Sequence, residues 1–150
     1  MKKNGVVTRI HDARRGHKQW VSFAEALLEG IPLDQEKVPI TPVDCQFGQW
    51  YYGEGRGLAD LAVYQQLEAP HDAIHQTYQK IFAILFEESR PSVLARLFGS
   101  TASLQSEQKE RARALLPQLQ EYSNQIIRLL DELENEVRAM SDQEIERRMG

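Results

Sequence analysis

Apolar positions recur at intervals of three and four along most of the chain, the spacing of helices that each bury one face. Val6, Ile10, Ala13, His17, Trp20, Ala24 and Leu27 form the first such stripe. It predicts a long helix that stops near Gly30-Ile31-Pro32. Residues 30–44 carry Pro32, Pro39 and Pro42 and read as an extended connection. A turn of helix is expected to start at Cys45, with Asp44 as its N-cap, and to run to Tyr52. Gly53, Gly55 and Gly57 interrupt it and read as a flexible turn, and residues 58–67 as another short helix.

Ala69-Pro70 marks the next start, because proline suits a first helical turn. His71, Ile74, His75, Tyr78, Ile81, Phe82 and Leu85 make the second long stripe, which stops around residues 88–91. A short apolar helix is predicted over 93–98. The longest helix is predicted from about Ser103 to Met140, with a near-heptad stripe of Leu115, Leu119, Tyr122, Ile126, Leu129, Leu133 and Val137. Pro117 should kink or divide it. Strand patterns are nearly absent, so the expected fold is all-α, an antiparallel four-helix bundle with short additional helices in a single domain over 1–150.

Bulk properties narrow the function. At 150 residues the chain can bury a core of ordinary size. A net charge of −4, with both signs interspersed, argues against nucleic acid, which needs a concentrated basic face. Arg14-Arg15 beside Lys18, and Arg147-Arg148, read as solvated surface. No apolar run approaches the ~20 residues of a membrane span, and Met1-Lys2-Lys3 is not followed by the apolar core of a signal peptide. The single cysteine, Cys45, cannot form an internal disulfide, and the expected compartment is the cytoplasm.

The histidines break the apolar pattern. His17 lies on the first stripe, and His71 and His75 lie on the second. An unpaired polar group inside a bundle costs ~1–3 kcal/mol, so each needs a partner. His71 and His75 are four apart and project from one face, a turn from each other, a spacing that lets two imidazoles share a metal. Cys45 adds a soft thiolate, and three imidazoles with one thiolate suit tetrahedral zinc. On spacing alone, hydrogen-bonded packing histidines explain the pattern as well. His11, ~240° around the helix from His17, reads as a surface residue. A di-iron bundle would need more histidines and bridging carboxylates than the stripes carry.

Three elements in order carry a family resemblance. They are His17-Lys18-Gln19-Trp20, Cys45-Gln46-Phe47-Gly48-Gln49-Trp50-Tyr51 and His71-Asp72-Ala73-Ile74-His75. They resemble the H-x-x-W, C-x-[FL]-G-x-W-[YLI] and H-x-x-x-H elements of the chemoreceptor zinc-binding domain family, over about residues 6–90. That family consists of bacterial four-helix bundles, usually fused to chemoreceptors or to enzymes that make cyclic-di-GMP. The resemblance implies one zinc ion held by His17, Cys45, His71 and His75. A signalling role follows from the same likeness, with a chemoreceptor or cyclic-di-GMP enzyme as the kind of partner.

Four protein ligands would leave zinc no open position for a reacting water, and no nucleophile-elbow, P-loop or dinucleotide motif appears, so no enzyme is expected. The chain leaves no room for the family's usual output module, so the output is expected in another protein. A first shell of net charge +1 invites a carboxylate onto a free imidazole nitrogen, with Asp44, Glu68 and Asp72 near in sequence. Trp20, Phe47 and Trp50 read as core aromatics that keep water out. The heptad stripe and the family's habits imply a homodimer. The expected role is a sensor in which zinc loss or Cys45 oxidation frees residues 45–57. The alternative is an interaction protein with a purely structural zinc, or a zinc buffer.

Overall fold

The computed structural model describes residues 1–30, 42, 45–87 and 101–150. The expected cap at Asp44, most of the extended connection and the helix over 93–98 fall outside these residues. Three long helical rods make the core: α1 (Lys3–Leu28), α4 (Glu68–Phe82) and a broken rod. The broken rod consists of α5 (Thr101–Arg113) and α6 (Leu116–Ala139). Short helices α2 (Gln46–Tyr52), α3 (Ala62–Gln66) and α7 (Asp142–Met149) close the ends. No strand occurs among the described residues, and the protein is an all-α helical bundle.

Every position of the first predicted stripe is buried, and Val7 and Leu28 join it. The helix stops because Gly30 takes φ +86°, a left-handed turn that favours glycine and follows a helix end. α1 runs antiparallel to the broken rod. Arg14 reaches Asp131 and Glu134, Glu25 accepts from Gln120, and the Leu28 carbonyl accepts from Arg113. Glu134 gathers Arg14 at 2.7 Å, Arg138 at 2.8 Å and His11 at 3.1 Å, a cluster that bolts the two rods together. α4 lies parallel to α1, since the ring of His17 is level with His71 and that of Trp20 with His75 and Tyr78.

Several boundaries differ from the sequence reading. Pro117 divides the last rod, with residues 114–115 turning between helices and Pro117 in the first turn of α6. Proline there lacks only an N–H that would have no partner. The inward stripe of α6 is Leu119, Ser123, Ile126, Leu130, Leu133 and Val137. Tyr122 and Leu129, expected on it, are half-buried beside it, one step and so ~100° away around the helix. Residues 58–67 are not one helix, since a 3₁₀ turn over Glu54–Leu58 precedes α3. The turn is packed, with Gly55 and Leu58 buried. Beyond Met140 the unpredicted α7 begins where the Ser141 hydroxyl accepts from the Glu144 N–H at 3.1 Å. Arg148 is only 21% exposed and pairs with Asp60 and Glu144, so this part of the basic cluster is not solvated surface.

The register of α6 is open to a direct check. Leu130→Ala should cost about 3 kcal/mol in urea unfolding, as for other fully buried leucines. Leu129→Ala should cost about 1 kcal/mol or less. Equal losses would contradict the register.

Candidate metal centre

α4 begins with Glu68 in its first turn and proline soon after, which sets His71 and His75 on its buried face one turn apart. Across from them the chain enters α2 at Cys45, whose sulfur takes the role expected of Asp44. Cys45 Sγ accepts the Gly48 N–H at 3.1 Å and so caps α2. A thiolate here is favoured by that N–H and by the positive end of the helix.

The ligand atoms of Cys45, His71 and His75 lie within 4.8 Å of one another, and all three residues are buried. His71 Nε2 stands 3.2 Å from Cys45 Sγ and 3.2 Å from His75 Nε2. Zinc–nitrogen bonds of about 2.0 Å and a zinc–sulfur bond of about 2.3 Å, at tetrahedral angles, set ligand atoms about 3.3–3.6 Å apart. The observed spacing is close to that edge, so these residues fit zinc.

His17 stands beside the cluster rather than inside its 4.8 Å limit. Its ring centroid is 5.4 Å from that of His71 and edge-on to it. His17 Nδ1–H donates to the Ala13 carbonyl at 2.7 Å, which leaves Nε2 as the nitrogen with a free lone pair. That Nε2 is buried and has no hydrogen-bond partner. An orphaned acceptor next to three metal-capable groups is what a fourth ligand would present. The role of the Ala13 carbonyl was missed from sequence, although a backbone acceptor four residues back on a helix is a place to look.

Both imidazoles favour the neutral form that a metal requires. Burial pulls His17 down to about 4, against the opposing effect of the Ala13 hydrogen bond. Burial, then the neighbouring His17 and His75, pulls His71 down to about 2. Aromatic edges wall the site: Trp20 meets His75 at 4.3 Å, and Phe47 meets His71 at 4.7 Å. Trp20, Phe47 and Trp50 are buried, in keeping with the core role expected of them. The carboxylates Glu68 and Asp72 do not reach His71, whose Nδ1 is without a partner. Glu68 instead accepts from the Tyr52 hydroxyl at 3.3 Å.

α2 is tied firmly to its neighbours. Tyr51 donates its hydroxyl to the Tyr64 carbonyl at 2.8 Å, Tyr64 returns the bond to the Tyr51 carbonyl, and the two rings stack at 4.1 Å. A cleft of about 270 Å³ between α1 and α2 has Arg9, Gln19 and Gln46 on its exposed side and His17 and Cys45 among its buried walls.

The fold and site together define a helical bundle with a buried cysteine–histidine cluster at metal-ligand spacing. Residues 17–82 match the family model of the chemoreceptor zinc-binding domain, and the match supports that family for this segment. The match begins at His17 and takes in Cys45, His71 and His75. No curated protein and no solved structure gives a significant match.

The depressed histidines set a pH dependence. Their folded values lie below that of a free imidazole, about 6.5, so the neutral forms stabilise the fold fully above that pH. The metal-free protein should lose about 1.4 kcal/mol per pH unit for each histidine as pH falls from about 6.5 toward 4. Urea midpoints that stay flat between pH 7 and pH 5 would contradict two buried neutral imidazoles.

Proposed function

We propose that the chain is a zinc-dependent regulatory module, with one zinc held by Cys45, His71, His75 and His17, and that the state of this site is passed to a partner protein. The observation that carries the reading is the buried Cys45–His71–His75 cluster inside a chemoreceptor zinc-binding domain. His17 is proposed as the fourth ligand on the strength of its orphaned Nε2. A closed set of four protein ligands supports a non-catalytic role, because no position is left for substrate or a reacting water.

Cys45 is the ligand proposed to respond. Zinc withdrawal frees its sulfur, and a two-electron oxidant that adds oxygen to it as a sulfenate removes the thiolate ligand. The cleft beside Cys45 supports access by either route. The partner is proposed to be a bacterial signalling protein of the chemoreceptor or cyclic-di-GMP class, met in the cytoplasm by a homodimer of this chain. No helix among the described residues is long and apolar enough to cross a membrane. The second reading, a purely structural zinc, draws on the Tyr51–Tyr64 clamp, which holds α2 as a fixed part of the bundle.

Metal analysis of the purified protein should give one zinc per chain. Cys45→Ala and His75→Ala should each weaken zinc binding about 100-fold, a quarter of a typical structural-zinc affinity of roughly 12 kcal/mol. Stoichiometric zinc in both variants would contradict the site. Circular dichroism then separates the two readings: a regulatory zinc leaves the helices formed after chelation and returns reversibly, whereas a structural zinc takes the fold with it. Light scattering at tens of micromolar (an order-of-magnitude choice,) should report a dimer, and a monomer would remove that part of the proposal.

A further inference from the structure

The glycine-rich segment and the last helix contribute no metal ligand, yet they are fitted to each other. α2 ends at Tyr52, Gly53 caps it, and Glu54–Leu58 turn as a 3₁₀ helix. A Cβ on Gly55 would stand 2.8 Å from the Trp50 carbonyl oxygen and 3.1 Å from two indole carbons, so the turn lies directly on α2. A Cβ on Gly57 would run into the Arg148 carbonyl oxygen and stand 2.8 Å from Met149 Sδ. Only glycine admits the last turn of α7 at that distance. From α7, Arg148 reaches across to Asp60, and Ile145 is wholly buried. At the other end of the same stretch is Cys45, whose sulfur holds the Gly48 N–H and whose carbonyl accepts the Gln49 N–H at 2.9 Å. Residues 45–58 are therefore one packed unit, with the metal thiolate at one end and the seat of α7 at the other.

We infer that α7 is the output element of the metal centre, seated on the 3₁₀ turn while Cys45 is bound and released when Cys45 lets go. The inference rests on the zinc-binding reading above. α7 has eight residues, too few to persist as a helix without its seat. It is held by the wholly buried Ile145, the half-buried Met149 and two ion pairs with exposed carboxylates, Arg148–Asp60 and Lys3–Asp142, few ties beside those of the long rods, which places it among the elements that open first. The turn at Gly57 lies so close to the Arg148 backbone that there is no room for a side chain between them, so the turn and the last turn of α7 are direct neighbours. The long rods are held by wholly buried stripes and keep their places. On release, α7 would present Ile145 and Met149 together with Arg147 and Arg148, an apolar and basic face that a partner can bind.

Hydrogen exchange of residues 142–149, with zinc content measured in the same samples, tests this. Chelation should speed exchange there at least tenfold while residues 116–139 keep their protection. Gly57→Ala should give the same fast exchange with zinc still bound at one per chain, because the added methyl unseats α7 without touching a ligand. If Gly57→Ala does not fold, Arg148→Ala takes its place and should raise exchange in 142–149 in the zinc-loaded protein. Exchange in 142–149 that ignores chelation, loss of protection in all helices together, or wild-type exchange in the variant overturns the inference while the zinc reading stands. A purified protein that binds no zinc overturns both.

Discussion

A sulfur and two imidazole nitrogens meet with contacts of 3.2 Å in the interior of an otherwise apolar bundle, and the fold has to make that arrangement stable. Each group is costly to bury without a partner, and the single lone pair of His71 Nε2 faces both a sulfur and a second imidazole. In the proposed function a divalent cation accepts a lone pair from each. The orphaned Nε2 of His17 is the same problem on the facing helix. With zinc bound as proposed, metal binding and folding are coupled through these polar side chains, which an apolar core would otherwise expel.

The rest of the bundle serves that centre. Parallel packing of α1 and α4 sets Trp20 against His75 and His17 against His71, and the antiparallel α6 covers their outer faces with a heptad stripe. The Glu134 cluster fixes the height of α1, and the Ala13 carbonyl fixes the tautomer of His17. On the remaining side, the Tyr51–Tyr64 clamp fixes α2 and with it Cys45. The glycines after α2 are packed rather than loose: each allows a backbone approach that a side chain would block.

Much of this was legible in the sequence. The α1 stripe and the positions of His71 and His75 follow from helical period alone, because apolar burial and a 3.6-residue repeat leave few alternatives. Three ordered motifs pointed to the ligands, and the structure brings Cys45, His71 and His75 together while leaving His17 adjacent. On α6 the expected Leu119, Ile126, Leu133 and Val137 are buried, but the expected Tyr122 and Leu129 stand one step outside the buried Ser123 and Leu130, because Tyr122 and Leu129 are apolar enough to pass for core and Ser123 is not. The Gly-Glu-Gly-Arg-Gly run was read as flexible, since a glycine's freedom is visible in sequence and a distant carbonyl oxygen that requires it is not. The Ser141-to-Glu144 cap was a readable signal for α7 that the stronger heptad pattern obscured.

The central claim is that one zinc sits among three imidazoles and one thiolate. X-ray absorption at the zinc edge, recorded on the wild type and on His17→Ala, measures that shell directly. The account predicts one sulfur at about 2.3 Å and three imidazole nitrogens at about 2.0 Å, with one imidazole fewer in the variant. A shell without sulfur, or an imidazole count unchanged by His17→Ala, would contradict it.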